Sequence, residues 1–368
     1  MTMTGRERLK AALCHREPDR VPFDIGGSYA TGINTQAYQK LKAYLGLRSP
    51  TRVASQRSDI AQVEDSVRAR LGIDTYPLLP GVPDGSVEQL SPDAYRDEWG
   101  VVRRRAPGGH YYVAAAPLAA ATLPDLKTYP WPNPEDPGWV RGLIEEAQRV
   151  RRETDLALVL SLPVGFGHQS QFLRGYEGWL IDCAADPCFA TALMDRVLDV
   201  QIRVADHMLA AVGDLVDVVL YADDMGFQDR PIMSPAMFRR LIKPLQKRFL
   251  DFVKARTQAQ VLYHTCGAVL PLIPDFIEAG VDVLNPVQVT AAGMEPARLK
   301  REFGRDLAFW GGVDTQHVLP HGSPLGIRST VEVLVNTLGV GGGYVLSAAN
   351  NIQADTPPAH IVAMAAAL

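Results

Sequence analysis

Val261-Leu262-Tyr263-His264-Thr265-Cys266-Gly267 is a short apolar run with a polar tip, led in by Gln258 and Gln260. Residues two apart on a strand share a face. His264 and Cys266 are therefore expected side by side, with Thr265 turned the other way, and Gly267 ends the strand. An imidazole and a thiol together at a strand end are two of the ligands that zinc favours. On spacing alone, a His-x-Cys pair is more often core packing than a metal site. Its place in the chain decides between the two.

Working outward, the same pattern recurs on both sides. Upstream, Val216–Ala222 is an apolar strand ending in Asp223-Asp224, and Leu156–Val164 is another, ending near His168-Gln169. Downstream, Val281–Leu284 leads to Asn285 and Gln288. Leu307–Trp310 leads to Asp314, Gln316 and His317, and Tyr344–Ser347 leads to Asn350, Asn351 and Gln353. Near the start, strands at 21–25 and 72–78 carry Asp24 and Asp74. Helical stretches separate the strands, among them 35–45, 58–71, 170–185 and 187–212. A Thr4/Glu7 capping box opens a helix at the N-terminus.

Apolar strands alternating with helices imply a parallel sheet covered on both faces. Counting from residues 21, 72, 156, 216, 261, 281, 307 and 344 gives eight strands. The expected fold is an α/β (β/α)8 TIM barrel, one domain over residues 1–368. It carries an N-terminal helical segment and a β-hairpin inserted before the third strand. The hairpin is 99–105 and 111–115, with a turn at Pro107-Gly108-Gly109. A doubly wound open sheet is the competing architecture, but no G-x-G-x-x-G follows an early strand.

Composition narrows the function classes. The net charge is -4 with both signs interspersed, so there is no electrostatic footprint for nucleic acid. The run Val101-Val102-Arg103-Arg104-Arg105 is too short to change that. No apolar run approaches the roughly 20 residues of a membrane span, and the first residues carry no secretory h-region. The 4 cysteines are sparse, which suits a reducing, cytoplasmic setting.

Barrel active sites lie at the C-terminal mouth of the strands. The groups expected there are Asp24, Asp74, His168, Asp223, Asp224, His264, Cys266, Asn285, Gln288, Gln316, His317 and Asn350. The constellation supports a divalent metal on His264 and Cys266. Asp223, Asp224 and Asn350 are the candidates for a third ligand, a carboxylate being the best chemically. A G-x-S-x-G elbow and a Walker-A loop are both missing.

With these residues in hand, the chain resembles the uroporphyrinogen decarboxylase superfamily over nearly its full length. The resemblance is carried by Arg6-Glu7-Arg8, Glu17-Pro18-Asp19-Arg20-Val21-Pro22, Ala184-Ala185-Asp186-Pro187, Asp223-Asp224-Met225-Gly226 and Ser234-Pro235. It is strongest over His264-Thr265-Cys266-Gly267, Asn285-Pro286-Val287-Gln288, Trp310-Gly311-Gly312-Val313-Asp314-Thr315-Gln316 and Asn351-Ile352-Gln353-Ala354-Asp355. True decarboxylases of that superfamily carry a Met-Arg-Gln-Ala-Gly-Arg-Tyr segment after the first strand. Here Gly26-Gly27-Ser28-Tyr29-Ala30-Thr31-Gly32 stands there with no arginine. A substrate with many carboxylates would lack its clamp.

The resemblance therefore points to the corrinoid (methylcobamide)-dependent methyltransferase branch, whose zinc site is built on H-x-C plus a later ligand. That ligand is a Cys in the coenzyme M members, and Asn350 falls in its place here. The expected activity is zinc-dependent transfer of a methyl group between a small molecule and a corrinoid carried by a partner protein. The small molecule would be a methoxylated compound, a methylamine or a thiol. His264 and Cys266 would hold the metal. Asp223, Asp224, Gln316 and His317 would serve catalysis. Asp24, Asp74, His168, Asn285, Gln288 and Asn350 would contact substrate. A homodimer is compatible with this reading. Two alternatives stand beside it: a decarboxylase of a porphyrinogen or smaller acid, using Asp24 or Asp74, and a non-catalytic barrel that binds a corrinoid or small ligand.

Overall fold

The computed structural model describes residues 2–106 and 110–368. Its centre is a parallel sheet of seven strands: β1 (Thr75–Leu78), β2 (Ala157–Ser161), β3 (Val218–Ala222), β4 (Gln260–His264), β5 (Val283–Val287), β6 (Ala308–Val313) and β7 (Tyr344–Ala348). They lie in sequence order across the sheet, joined by helical crossovers, as parallel pairing requires.

The segment expected as the first of eight strands does not form a full strand. Phe23 makes a single parallel bridge to Leu346 of β7. The Leu346 amide donates to the Pro22 carbonyl at 2.9 Å and the Asp24 amide to the Leu346 carbonyl at 3.0 Å. On the other side the Asp74 amide donates to the Phe23 carbonyl at 2.9 Å. Residues 22–24 thus join both edges of the sheet and close the TIM barrel. Pro22 has no N–H to extend a ladder, and Gly26 leaves it at once with φ +74°.

Side-chain alternation sorts the strands into two layers. Ala157, Val159, Val218, Leu220, Leu262, Val283, Ala308, Trp310 and Val345 face the barrel interior. Val219, Tyr221, Val261, Tyr263, Leu284 and Phe309 face the surrounding helices. Leu9 and Leu13 of α1 (Gly5–Leu13) join the interior cluster. The expected capping box is formed, the Thr4 hydroxyl taking the Glu7 amide at 3.2 Å.

Three further expectations are revised. The hairpin is half of a four-stranded antiparallel sheet made by 88–91, 94–96, 102–105 and 111–115. Its expected turn at Pro107-Gly108-Gly109 lies outside the described residues. The helix expected over 58–71 begins only at Asp65, because Ile60–Ala61 pair with Val53–Ser55. The strand expected over 72–78 begins at Thr75, and this moves Asp74 to the end of the barrel opposite the mouth. There it accepts from Arg8 Nη1 at 2.6 Å, Arg20 Nη1 at 2.8 Å and the Phe23 amide at 2.8 Å. Asp74 is a structural anion beneath the barrel and does not face a substrate.

Candidate metal centre

The site grows from the phase of β4. Leu262 points into the barrel, so His264, two residues on, does so too. His264 is in register with Asn285 of β5 and Ala222 of β3. Asp224 lies two residues beyond Ala222, and Cys266 two beyond His264. The ligand atoms of Asp224, His264 and Cys266 all lie within 4.8 Å of one another. Cys266 Sγ is 3.5 Å from His264 Nε2, and Asp224 Oδ1 is 3.9 Å from that nitrogen. Thr265 faces away, its hydroxyl accepting the Met225 amide at 2.9 Å.

Backbone contacts hold the two ligand-bearing loops together. The Cys266 amide donates to Asp224 Oδ1 at 2.9 Å. Gly267, at φ +91°, packs on Gly226, and a Cβ on Gly267 would sit 2.4 Å from the Gly226 carbonyl carbon. Only glycine allows that approach. Gln288 braces the same loop, its Oε1 accepting the Gly267 amide at 2.8 Å and its Nε2 reaching Gln228.

Asn285 sets the imidazole. Its Nδ2 donates to the Trp310 carbonyl at 3.2 Å, so its oxygen must face His264 Nδ1, 2.5 Å away. A carbonyl oxygen can only accept, so the proton sits on Nδ1 and the lone pair of Nε2 faces Cys266 and Asp224. This is how a partner on the far nitrogen commonly orients a metal-binding histidine. Both ends of the Asn285 amide are engaged in holding the imidazole.

Of the three candidates for a third ligand, Asp224 is the one whose carboxylate joins the pair. Asp223 turns the other way, as alternation requires. It is fully buried, and accepts from the His168 amide at 2.6 Å, the Gly167 amide at 3.2 Å and the Tyr221 hydroxyl. Burial pushes its carboxyl up to about 7. Asn350 donates from Nδ2 to Cys266 Sγ at 3.4 Å, while its oxygen takes the Asn351 amide at 2.6 Å. Both ends of its amide are thus occupied, and it serves the sulfur as a donor.

The remaining expected residues separate. His168 packs on Phe172 at a tilt of 33°, with ring centres 4.8 Å apart. Its pKa is lowered by burial, while Asp224 acts in the opposite sense. Asp24 has no exposed surface and accepts from Thr75 Oγ1 at 2.6 Å, the Gly27 amide at 2.8 Å and Trp310 Nε1 at 2.9 Å. These donors occupy its carboxylate, which supports Trp310. Gln316 and His317 are exposed, and their amides cap Asp314 at 3.0 and 2.7 Å. Neither is brought to the metal-capable trio.

Burial dominates the trio's electrostatics. It pushes the Cys266 thiol well above its usual value, with Asp224 adding to the effect. Burial also raises Asp224, but the charges of His168 and His264 and the Cys266 amide together bring it below its usual value. Carboxylate, imidazole and thiol form a mixed O/N/S set of three, the number found in catalytic zinc sites that keep an open position. The residues fit that ion.

Beside the trio lies a cleft of about 330 Å³ lined by Arg57, Arg103, His110, His168, Phe172 and Asn350, among others. No sequence signal marks Arg57. Arg103 had one: in an alternating hairpin it must face away from Arg104.

Comparison with known proteins follows the same lines. A family model described as uroporphyrinogen decarboxylase matches residues 122–368. No curated protein matches the sequence. Among solved structures, a methyltransferase from Methanosarcina mazei superposes with a TM-score of 0.68 at 20% identity, covering 99% of this chain and 98% of that one. A β-glycosidase from Thermosphaera aggregans reaches a TM-score of 0.46 at 13% identity, covering 95% and 96%. Among the described residues, no helix is long and apolar enough to cross a membrane.

Proposed function

The chain belongs to the uroporphyrinogen decarboxylase family, and from that premise we propose that it is a zinc-dependent methyltransferase working with a corrinoid on a partner protein. The observation that carries this reading is the Asp224–His264–Cys266 trio, with its ligand atoms within 4.8 Å of one another at the barrel mouth. The fold shared with the Methanosarcina mazei methyltransferase is compatible with it.

Zinc held there would act as a Lewis acid, lowering the pKa of a thiol acceptor or polarising the heteroatom that carries the methyl group. The chain's own residues do the rest. Asn285 keeps the Nε2 lone pair of His264 aimed at the site. The Asn350 amide stabilises negative charge on Cys266 Sγ. The Cys266 amide holds Asp224 in place, and Gly226 with Gly267 keeps the two loops in contact. His168 stands beside Asp224 on the cleft side, where a substrate enters.

The decarboxylase alternative drew on Asp24 or Asp74. Asp74 lies at the far end of the barrel, and Asp24 is enclosed by its own hydrogen-bond donors. Neither is placed to meet a pyrrole.

The test is an anaerobic assay with zinc-loaded protein and a reduced Co(I) corrinoid. A panel of methoxylated, methylamine and methylated-thiol donors is screened by absorbance for formation of the methylated corrinoid. The expected result is methylation with at least one donor class, abolished by Cys266→Ala. Decarboxylation of uroporphyrinogen at a rate indifferent to chelator would overturn the proposal.

A further inference from the structure

Arg57 is a cation without a hydrogen-bonded partner. Among the described residues it makes no hydrogen bond and no ion pair, and its guanidinium lies 5.6 Å from the centre of the Phe172 ring. Its neighbour Arg103 packs on that ring at 4.5 Å, but is already neutralised by Asp97, Nε to Oδ2 at 2.7 Å. Burial, and then the like charge of Arg103, both disfavour the charged form of Arg57. The nearby charge of Glu98 favours it, but no ion pair joins Glu98 to the half-buried guanidinium, whose hydrogen-bond donors stay open.

The cleft that Arg57 lines is one-sided in charge. Its described walls hold Arg57, Arg103, His110 and His168, and no aspartate or glutamate. Asn350, the residue that touches Cys266 Sγ, is part of the same wall. The cleft therefore runs from Asn350, which touches the trio's sulfur, to Arg57. Its apolar lining is aromatic, from Phe172, Tyr111 and Tyr112. A second cavity, of about 260 Å³, lies against both arginines and is lined by Tyr29, Gln169, Asp97 and Glu98. Tyr29 Oη and Gln169 Nε2 are buried with no partner. The acids thus lie on the second cavity's side of Arg57, and the cleft's side has none.

We infer that this cleft takes a small methylated aromatic acid, its carboxylate on Arg57 and its methyl-bearing end toward His264 and Cys266. A planar guanidinium pairs with a carboxylate through two parallel hydrogen bonds. Only one guanidinium is free, which suits a singly charged carboxylate better than a phosphate dianion. Aromatic walls suit a ring between the two ends. The direction in which the substrate lies rests on the methyl-transfer reading. The anion site itself does not.

Binding is measured by calorimetry on the full chain, with 4-methoxybenzoate and 4-methoxybenzyl alcohol as probes. These ligands share the ring and the methyl group and differ in charge. The wild-type protein is expected to bind the acid at least about tenfold more tightly than the alcohol, the scale of a hydrogen bond to a charged group. Arg57→Gln should abolish that preference, and Arg57→Lys should restore part of it. The ratio of acid to alcohol affinity should be the same with and without added zinc, which separates this site from the metal. Equal binding of acid and alcohol by the wild type, binding of neither, or an unchanged preference in Arg57→Gln would each overturn the inference. The wild-type comparison needs no variant to fold. If the acid preference depends on Arg57 and no donor is ever demethylated, the anion site stands and the methyl-transfer reading falls.

Discussion

Replacing Asn285 with alanine should weaken zinc binding without touching a ligand. The side chain is buried, and its two hydrogen bonds connect His264 Nδ1 to the Trp310 carbonyl. In the alanine variant both partners lose their bond in a place with little access to water. Each buried unsatisfied group costs about 1–3 kcal/mol, so the fold should lose roughly 2–6 kcal/mol. The imidazole also loses the acceptor that fixes its tautomer and angle. Loss of such an outer partner typically weakens metal binding by about 10–100-fold. Asn285→Asp separates the two effects. It keeps an acceptor for Nδ1–H but cannot donate to Trp310, so stability should fall while zinc affinity stays within a few-fold of wild type. Thermal melts of the metal-free proteins give the first quantity, and titration against a competing chelator gives the second. A zinc affinity for Asn285→Ala within about twofold of wild type would refute the orienting role, since the expected loss is at least tenfold.

Two further predictions concern the frame around the site. Gly267→Ala forces a Cβ against the Gly226 backbone at φ +91°, so it should destabilise the protein by about 1–3 kcal/mol and weaken zinc binding in the same sample. Both effects are checked by melting and chelator titration. Asp217 sits beneath the barrel with Arg151 at 2.6 Å and Arg6 at 2.9 Å. Burial pushes its carboxyl up, but the bonds from these arginines outweigh it and hold the group below its usual value. A depressed folded-state pKa means the stabilisation is present above the ordinary carboxylate pKa and lost as pH falls through the depressed one. Asp217→Asn should therefore cost about 3 kcal/mol at neutral pH. Its melting temperature should begin to approach wild type below about pH 4 and reach it only below the depressed pKa. A constant difference across that range would count against the pairing.

The barrel and its metal-capable pair were legible because both follow from period two. Apolar strands between helices imply the parallel sheet. Once Leu262 is known to face inward, His264 must as well. The family resemblance added the expectation of zinc and of a later ligand at Asn350. What stayed hidden depended on register and on strand boundaries. Asp74 was expected at the mouth because the strand start was placed three residues early, at 72 instead of 75. Asp223 and Asp224 are adjacent and indistinguishable as letters. Only the end of β3 and the turn after it decide which carboxylate meets His264. Asn285 was expected to contact substrate because a polar residue at a strand end reads as a site residue. The Trp310 carbonyl that turns its amide comes from a neighbouring strand and leaves no local mark. Arg57 was not anticipated at all, since a lone arginine before a short ladder has no pattern to set it apart. Its isolation becomes visible only when Asp97 is seen to have taken Arg103 instead.

The most direct test of the account is a zinc titration of the wild-type chain and of Asp224→Ala, His264→Ala, Cys266→Ala and Asn350→Ala. The account predicts stoichiometric zinc binding by the wild type. It also predicts an affinity loss of at least about tenfold, the least expected even of an outer partner, for each of the first three variants, and a smaller loss for Asn350→Ala. A wild-type chain that takes up no zinc, or an Asp224→Ala variant that binds it as well as wild type, would contradict it.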